Sequence, residues 1–295
     1  MPARVTVLLA TFQGREFFPA QLESILGQEG VDVSVVVSDD GSTDGTWELL
    51  QSYDDPRLVL LPRVTPTGSA AANFYRLLRD TETDGLVAFA DQDDVWEPDK
   101  LRRHVALVEA GAVGVSSNVL TLTASGETAL LRKDYPQRDF DWVFEGPGPG
   151  CSMLLAPQLV SRLREVLADP DGLAARCDYH DWLTYAVCRA SGWDWRIDAH
   201  PSLLYRQHAA NVLGANKGLS AARRRLRLAR EGWHRRQAAD LARLGLEIRP
   251  DERLRSLLSA LDGRRRVRLL TWAAQARRRP RDRAVFAALV ALGLW

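Results

Sequence analysis

Through the first hundred residues, short apolar runs alternate with segments of helical period. Val5-Thr6-Val7-Leu8-Leu9-Ala10, Val33-Ser34-Val35-Val36-Val37-Ser38 and Leu86-Val87-Ala88-Phe89-Ala90 are apolar almost throughout and end at turn-forming residues. Runs of this kind suit strands covered on both faces, as in a parallel sheet. Residues 57–61 offer a further strand, and residues 16–28, 45–52 and 70–79 carry helix-like patterns between them. Such alternation predicts an α/β fold with helices on both sides of the sheet. Ligands of these sheets bind at the carboxyl ends of the strands. The polar clusters fall there: Thr11 after the first strand, Asp39-Asp40-Gly41-Ser42 after the second, and Asp91-Gln92-Asp93-Asp94 after the fourth. Three strand ends are thereby expected to converge on one crevice.

The run Asp91-Gln92-Asp93-Asp94 places three carboxylates where a strand opens into a loop. Crowded acids raise one another's pKa unless a positive charge neutralises them. Oxygen donors of this type suit Mg²⁺ or Mn²⁺, which commonly bind one or two carboxylates together with substrate phosphates. A solvated turn is the other reading, since Asp favours turns. After the second strand, Asp39 or Asp40 could accept the imide N–H of uracil or thymine and select a pyrimidine nucleotide. Ser42, Thr43 or Asp44 could cap the helix that follows. No GxGxxG or Walker sequence occurs, which removes support for dinucleotide and P-loop chemistry.

Further along, Gly146-Pro147-Gly148-Pro149-Gly150 either lets the backbone approach a ligand closely or simply connects two segments. In Asp178-Tyr179-His180-Asp181-Trp182-Leu183, the positions Leu183, Ala186 and Val187 mark the buried face of a helix with Asp181 near its N-terminus. Asp181 is then a capping acid stabilised by the helix dipole, or a general base with Trp182 or Tyr179 offering a flat face to a sugar ring. In Tyr205-Arg206-Gln207-His208, Arg206 and His208 together suit a phosphate clamp or a third metal ligand, although a lone histidine is more often structural.

Bulk properties narrow the class. A chain of 295 residues, 46% hydrophobic and 26% charged with a mean hydropathy of −0.21, reads as soluble and globular, one large domain plus an appendage. The net charge of +1 hides an asymmetry. Residues 215–295 hold 21 Lys and Arg against 7 Asp and Glu, a surplus of 14 that leaves the first 214 residues at −13. Three cysteines without a CxxC pair point away from a disulfide framework or a zinc site and toward a reduced, cytoplasmic setting. The N-terminus lacks the layout of a signal peptide, and no segment approaches the roughly 18–20 apolar residues that span a bilayer.

Together these segments resemble the family 2 glycosyltransferases. The resemblance is carried by Leu8-Leu9-Ala10-Thr11-Phe12, by residues 39–46, by Asp91-Gln92-Asp93-Asp94-Val95-Trp96, by His180-Asp181-Trp182 and by Tyr205-Arg206-Gln207-His208, in matching order along residues 4–214. Within the family, the chain is most similar to bacterial rhamnosyltransferase-type enzymes of surface polysaccharide assembly. The resemblance implies the nucleotide-diphospho-sugar (GT-A) fold, a mixed α/β sheet flanked by helices. Residues 1–214 would form that domain and residues 215–295 a basic helical extension. It implies Thr11, Asp39, Asp40, Asp91 and Arg206 around the nucleotide donor and Asp91, Asp93 and His208 on a Mg²⁺ or Mn²⁺ ion, with Asp93 the more direct ligand and Asp94 in support. Asp181 would be the catalytic base, with Trp182 and His180 toward the acceptor. Many relatives carry Glu-Asp where this chain has His180-Asp181, which leaves the role of His180 open.

The implied reaction is a single inverting displacement from a dTDP- or UDP-sugar, rhamnose among the candidates, to a saccharide or lipid-linked hydroxyl. A nucleotidyltransferase is the enzymatic alternative, weakened by the lack of a glycine-rich, lysine-bearing loop after the first strand. An inactive nucleotide-sugar-binding protein anchored by its tail is the non-enzymatic one. In the tail, three Arg triplets precede an apolar stretch over residues 284–295. That stretch either rests on an anionic membrane surface, at the inner face of the plasma membrane, or packs on the body while the arginines pair with acids. Nucleic-acid binding is not expected, because aromatic interleaving is sparse and no recognised module is present.

Overall fold

The computed structural model describes residues 1–207, 231–263 and 266–295. The long apolar runs form β1 (Ala3–Thr11), β2 (Val31–Asp39) and β4 (Leu86–Ala90), with the short β3 (Leu58–Leu60) at the edge. β1 pairs in parallel with both β2 and β4, and β2 with β3. Val5, Val7 and Leu9 share one face with Val33, Val35, Val37, Ala88 and Ala90; Leu8 and Ala10 share the other with Val36, Val87 and Phe89. Both faces are buried, which is why these runs are continuous and not alternating. The first face is covered by α1 (Phe18–Leu26) and α4 (Lys100–Glu109). The second is covered by α3 (Ala70–Asp80), α5 (Pro157–Val166) and α6 (His180–Ala190). Each fully buried Val or Leu contributes roughly 1.5–3 kcal/mol.

Beyond β4 the parallel pattern stops. β9 (Leu154–Leu155) inserts antiparallel between β4 and β6 (Gly114–Ser117), and β10 (Trp195–Asp198) closes the edge parallel to β6. The seven-stranded sheet is therefore mixed, and the insertion carries the turn Gly150–Ser152 against β4. A second sheet runs in the order β5 (Val95–Trp96), β11 (Leu203–Arg206), β7 (Val119–Leu122), β8 (Thr128–Leu131). Its β5 follows the acidic run directly, so pairing with β11 brings Arg206 to the acids.

Helix α2 (Thr46–Gln51) starts at Gly45, whose left-handed φ of 89° suits glycine. Asp44, one residue earlier, accepts the Thr46 N–H at 3.0 Å and so satisfies an orphan donor of the first turn. The C-terminal helices α7 (Trp233–Ile248), α8 (Glu252–Asp262), α9 (Ala273–Ala276) and α10 (Pro280–Ala291) join the core cluster that contains α6, through Ala238, Leu241, Leu254, Leu257, Phe286 and Val290. Phe286 and Trp295 both pack on Phe144, with ring centroids 5.3 and 5.6 Å away. The terminal apolar stretch thus packs on the body, although Val285 and Leu292 remain exposed. Among the described residues no helix is long and apolar enough to cross a membrane. The expected boundary at residue 214 lies outside the described residues.

Candidate active site

Gln92 fastens the acidic loop to the end of β1. Its Oε1 accepts from Thr11 Oγ1 at 2.6 Å and from the Phe12 N–H at 2.8 Å, and its Nε2 donates to the Phe12 carbonyl at 2.8 Å. Thr11 is held buried beneath the crevice by this pairing. Asp39 accepts the Ser42 N–H and hydroxyl and pairs with Arg63 at 3.1 Å. Asp40 accepts the N–H groups of Thr67 and Gly68 at 2.5 and 3.0 Å. In this arrangement all four oxygens of Asp39 and Asp40 already take hydrogen bonds from the protein and shape the loops beside the crevice.

The acids after β4 are crowded. Asp93 and Asp94 are buried, while Asp91 keeps part of its surface at the mouth. Arg206 donates its backbone N–H to Asp94 Oδ1 at 3.2 Å and its Nε to the Asp93 carbonyl at 3.0 Å, and its guanidinium lies 4.8 Å from the Phe17 ring centre. Asp94 Oδ2 is buried with no nitrogen or oxygen hydrogen-bond partner among the described residues, and the Cys151 thiol beside Asp94 is only a weak donor to its carboxylate. Burial, then the charges of Asp93 and Asp181, push Asp91 up to about 7. Burial and the charges of Asp93 and Asp91 push Asp94 well above the usual carboxylate range.

The cation facing them is weak. Lys100 is fully buried, donates to the Cys151 carbonyl at 2.5 Å and sits 3.0 Å from the centre of the Trp96 ring. Burial lowers its pKa to about 7. One oxygen each from Asp91 and Asp94 and the Cys151 sulfur lie within 4.8 Å of one another. Burial holds the Cys151 thiol well above its ordinary pKa, so it stays protonated and is a poor partner for a hard cation. The buried Asp94 oxygen and the mutual repulsion of the acids fit an oxygen-liganded divalent ion.

Helix α6 brings the second element. Its N-cap is Tyr179, so Asp181 lies inside the first turn, where its Oδ1 accepts the Trp182 N–H at 2.7 Å. Burial raises Asp181 to about 6, against the pull of that hydrogen bond and of Lys133. His180 and Trp182 lie in the core. The His180 ring stacks on Phe74 at 3.8 Å and meets Phe89 edge-on at 5.2 Å, and burial holds it neutral by lowering its pKa to about 3. The Trp182 Nε1 donates to the Trp142 carbonyl at 2.8 Å. His208 lies outside the described residues.

Sequence reasoning passed over Lys100, Cys151 and Lys133. Lys100 follows Trp96 by four residues, and its nearness to the acidic run was the available signal. Cys151 and Lys133 are far from that run in the chain, and no local pattern links them to it.

Similarity to known proteins agrees with the fold. The sequence profile of the family described as Glycosyl transferase family 2 matches residues 6–141. The dTDP-rhamnosyl transferase RfbG of Shigella flexneri is 35% identical over 240 residues, covering 79% of this chain and 83% of that one. The chain is a family 2 glycosyltransferase. A teichuronic acid biosynthesis glycosyltransferase of Bacillus subtilis, TuaG, described as putative, is 30% identical over 128 residues, 43% of this chain and 50% of that one. The glycosyltransferase also shares its fold with solved structures. S. aureus TarS in complex with UDP-GlcNAc matches with TM-score 0.62 and 12% identity, over 96% of this chain and 79% of that one. The mannosyltransferase PcManGT of Pyrobaculum calidifontis, in complex with GDP-Man and Mn²⁺, matches with TM-score 0.53 and 20% identity over 100% and 81%.

Proposed function

We propose that this glycosyltransferase moves a sugar, rhamnose in the first instance, from a nucleoside-diphosphate donor to a hydroxyl of a saccharide or lipid-linked acceptor, with inversion at the anomeric carbon. The observation that carries the reading is a crowded acid group at the end of β4 with a separate buried carboxyl, Asp181, within electrostatic reach of it. The Asp91–Asp94 group is crowded enough to call for a cation, and Asp181 is within electrostatic reach of Asp91 on a separate element. The naming of RfbG as a dTDP-rhamnosyl transferase favours dTDP-rhamnose as donor.

Asp91, Asp93 and Asp94 would hold Mg²⁺ or Mn²⁺, which supplies Lewis-acid neutralisation of the leaving diphosphate. Thr11, Asp39 and Asp40 line the nucleotide side, where the loops that Asp39 and Asp40 brace form the wall. Arg206 holds the acidic loop from β11 and sits where it can meet phosphate oxygens. Asp181, ionised above about pH 6, takes the proton from the acceptor hydroxyl as that oxygen attacks the anomeric carbon; the bond to the donor diphosphate breaks as the new bond forms. A lipid-linked acceptor would bring the enzyme to a bilayer face, and the exposed Val267, Leu270, Val285 and Leu292 of the arginine-rich C-terminal segment offer a contact surface there.

Thermal shift with dTDP-rhamnose, UDP-glucose and GDP-mannose, each with and without Mn²⁺ or Mg²⁺, tests the donor and the ion together. A ligand at about 100 times its Kd stabilises the native state by about 2.7 kcal/mol. The expected result is stabilisation by one nucleotide class that needs the ion and disappears in Asp93→Ala. Stabilisation that ignores the ion and survives in Asp93→Ala would overturn the metal assignment.

A further inference from the structure

We propose that Arg278, in the arginine-rich C-terminal segment, is a positioning residue for Asp181 and acts through the glycine–proline loop of residues 146–150. The proposal rests on the reading of Asp181 as the base. Arg278 lies in the extended link between α9 and α10 and is 3% exposed, unusual for a residue in a run of three arginines. Its Nη2 donates to the Gly146 carbonyl at 2.5 Å and its Nη1 to the Pro147 carbonyl at 3.5 Å. Its Nε and its backbone N–H both donate to Glu145 Oε1, at 3.1 and 2.7 Å, and Asp141 Oδ2 stands 3.6 Å from Nε. A planar guanidinium can serve two successive carbonyls and a carboxylate at once; an ammonium has no such fork.

Ser152 holds the Pro149 end of the loop, and among the described residues Arg278 holds the Gly146 and Pro147 carbonyls at the other end. Pro147 and Pro149 have no N–H to donate, and the three glycines have no side chains with which to fasten it. Yet the loop packs on both neighbours of Asp181. A Cβ on Gly146 would stand 3.6 Å from the Trp182 N and Cα atoms, and one on Gly150 would run into the His180 ring. The Trp182 N–H is the group that orients Asp181 Oδ1. A Cβ on Gly148 would stand 3.5 Å from Lys133 Cγ, and Lys133 is a cation that acts on Asp181. Arg278 therefore holds the segment against which the base helix begins, from a part of the chain about a hundred residues downstream. The middle arginine of the 277–279 triplet is a structural part of the active site and not surplus surface charge.

The test compares Arg278→Lys, Arg278→Ala and Asp181→Asn in the full-length enzyme, with fold checked by circular dichroism and donor affinity by titration with dTDP-rhamnose. Arg278→Lys keeps a positive charge beside Glu145 and Asp141 but cannot serve both loop carbonyls. It is expected to fold, to bind donor within about twofold of wild type, to lose at least tenfold in kcat, and to move the acidic limb of the pH–rate profile. Millimolar guanidinium is expected to restore at least fivefold of the rate lost in Arg278→Ala, and ethylammonium to restore none. A folded Arg278→Lys with wild-type kcat and pH profile, beside an inactive Asp181→Asn, overturns the positioning role. An Asp181→Asn enzyme with wild-type kcat instead overturns the base assignment on which it rests.

Discussion

The crevice at the end of β4 and the C-terminal segment carry opposite excesses of charge, and the fold treats them differently. In the crevice, Asp91 and Asp94 face the buried Lys100, whose own charge is weakened by burial, and Asp94 Oδ2 finds no nitrogen or oxygen partner among the described residues. In the C-terminal segment arginines find acids. Arg243 reaches Asp240 and Asp262 at 2.8 and 2.7 Å, Arg253 reaches Asp139 at 2.8 Å, and Arg278 reaches Glu145 at 3.1 Å. Charge neutralised inside the protein joins elements together. Charge left crowded raises the energy of the folded chain and is kept where a ligand completes it. A surplus of 14 positive charges, read from composition, left open both a membrane contact and pairing with acids of the body; several of its members do pair with such acids.

Three changes probe that contrast, from the largest expected effect downward. Asp181→Asn should lower transfer by about 10²–10⁴ while leaving donor binding intact. The wild-type rate should fall about tenfold per pH unit below about 6, as the raised Asp181 takes up a proton. A carboxyl raised from 3.8 to about 6 is costly to the fold when ionised, and the cost vanishes as pH drops toward 3.8. Asp181→Asn should accordingly melt higher than wild type at pH 7.5, with the gap closing near pH 4; a lower melting temperature at pH 7.5 would make Asp181 a structural cap.

The next change breaks the packed side of the comparison. Phe286→Ala removes a ring that sits against Phe144 and Trp295, at 5.3 and 4.9 Å, and should cost about 3–5 kcal/mol in denaturant unfolding. A loss below about 0.5 kcal/mol would mean that the terminal stretch is not seated on the body in solution. The smallest effect belongs to Arg243→Ala. Its two ion pairs involve side chains 40%, 22% and 49% exposed, and chemical denaturation should register a change of about 1 kcal/mol or less.

The strands and helices that position the crevice were legible because burial on both faces writes itself locally. Leu86–Ala90 and His180–Ala190 fall where their apolar spacing put them. Period and turn chemistry act over a few residues, so the chain displays them without its partners. The insertion of β9 was not legible, since two residues make no pattern, and neither was the burial of the His180 and Trp182 rings. The His180 ring is covered by Phe74 and Phe89, and the Trp182 indole donates to the Trp142 carbonyl, all residues about 40 or more positions away.

By itself the sequence determined the alternation of the fold, the carboxyl-end placement of the acids and the family. Each of these depends on residue type and short-range order. Only the tertiary structure decided which acids are crowded, that Lys100 and Cys151 face them, and that Arg278 reaches back to the loop beside Asp181. Those outcomes depend on burial and on contacts across tens to more than a hundred residues. A pKa or an ion pair is a property of a neighbourhood, and a linear chain does not state who its neighbours are.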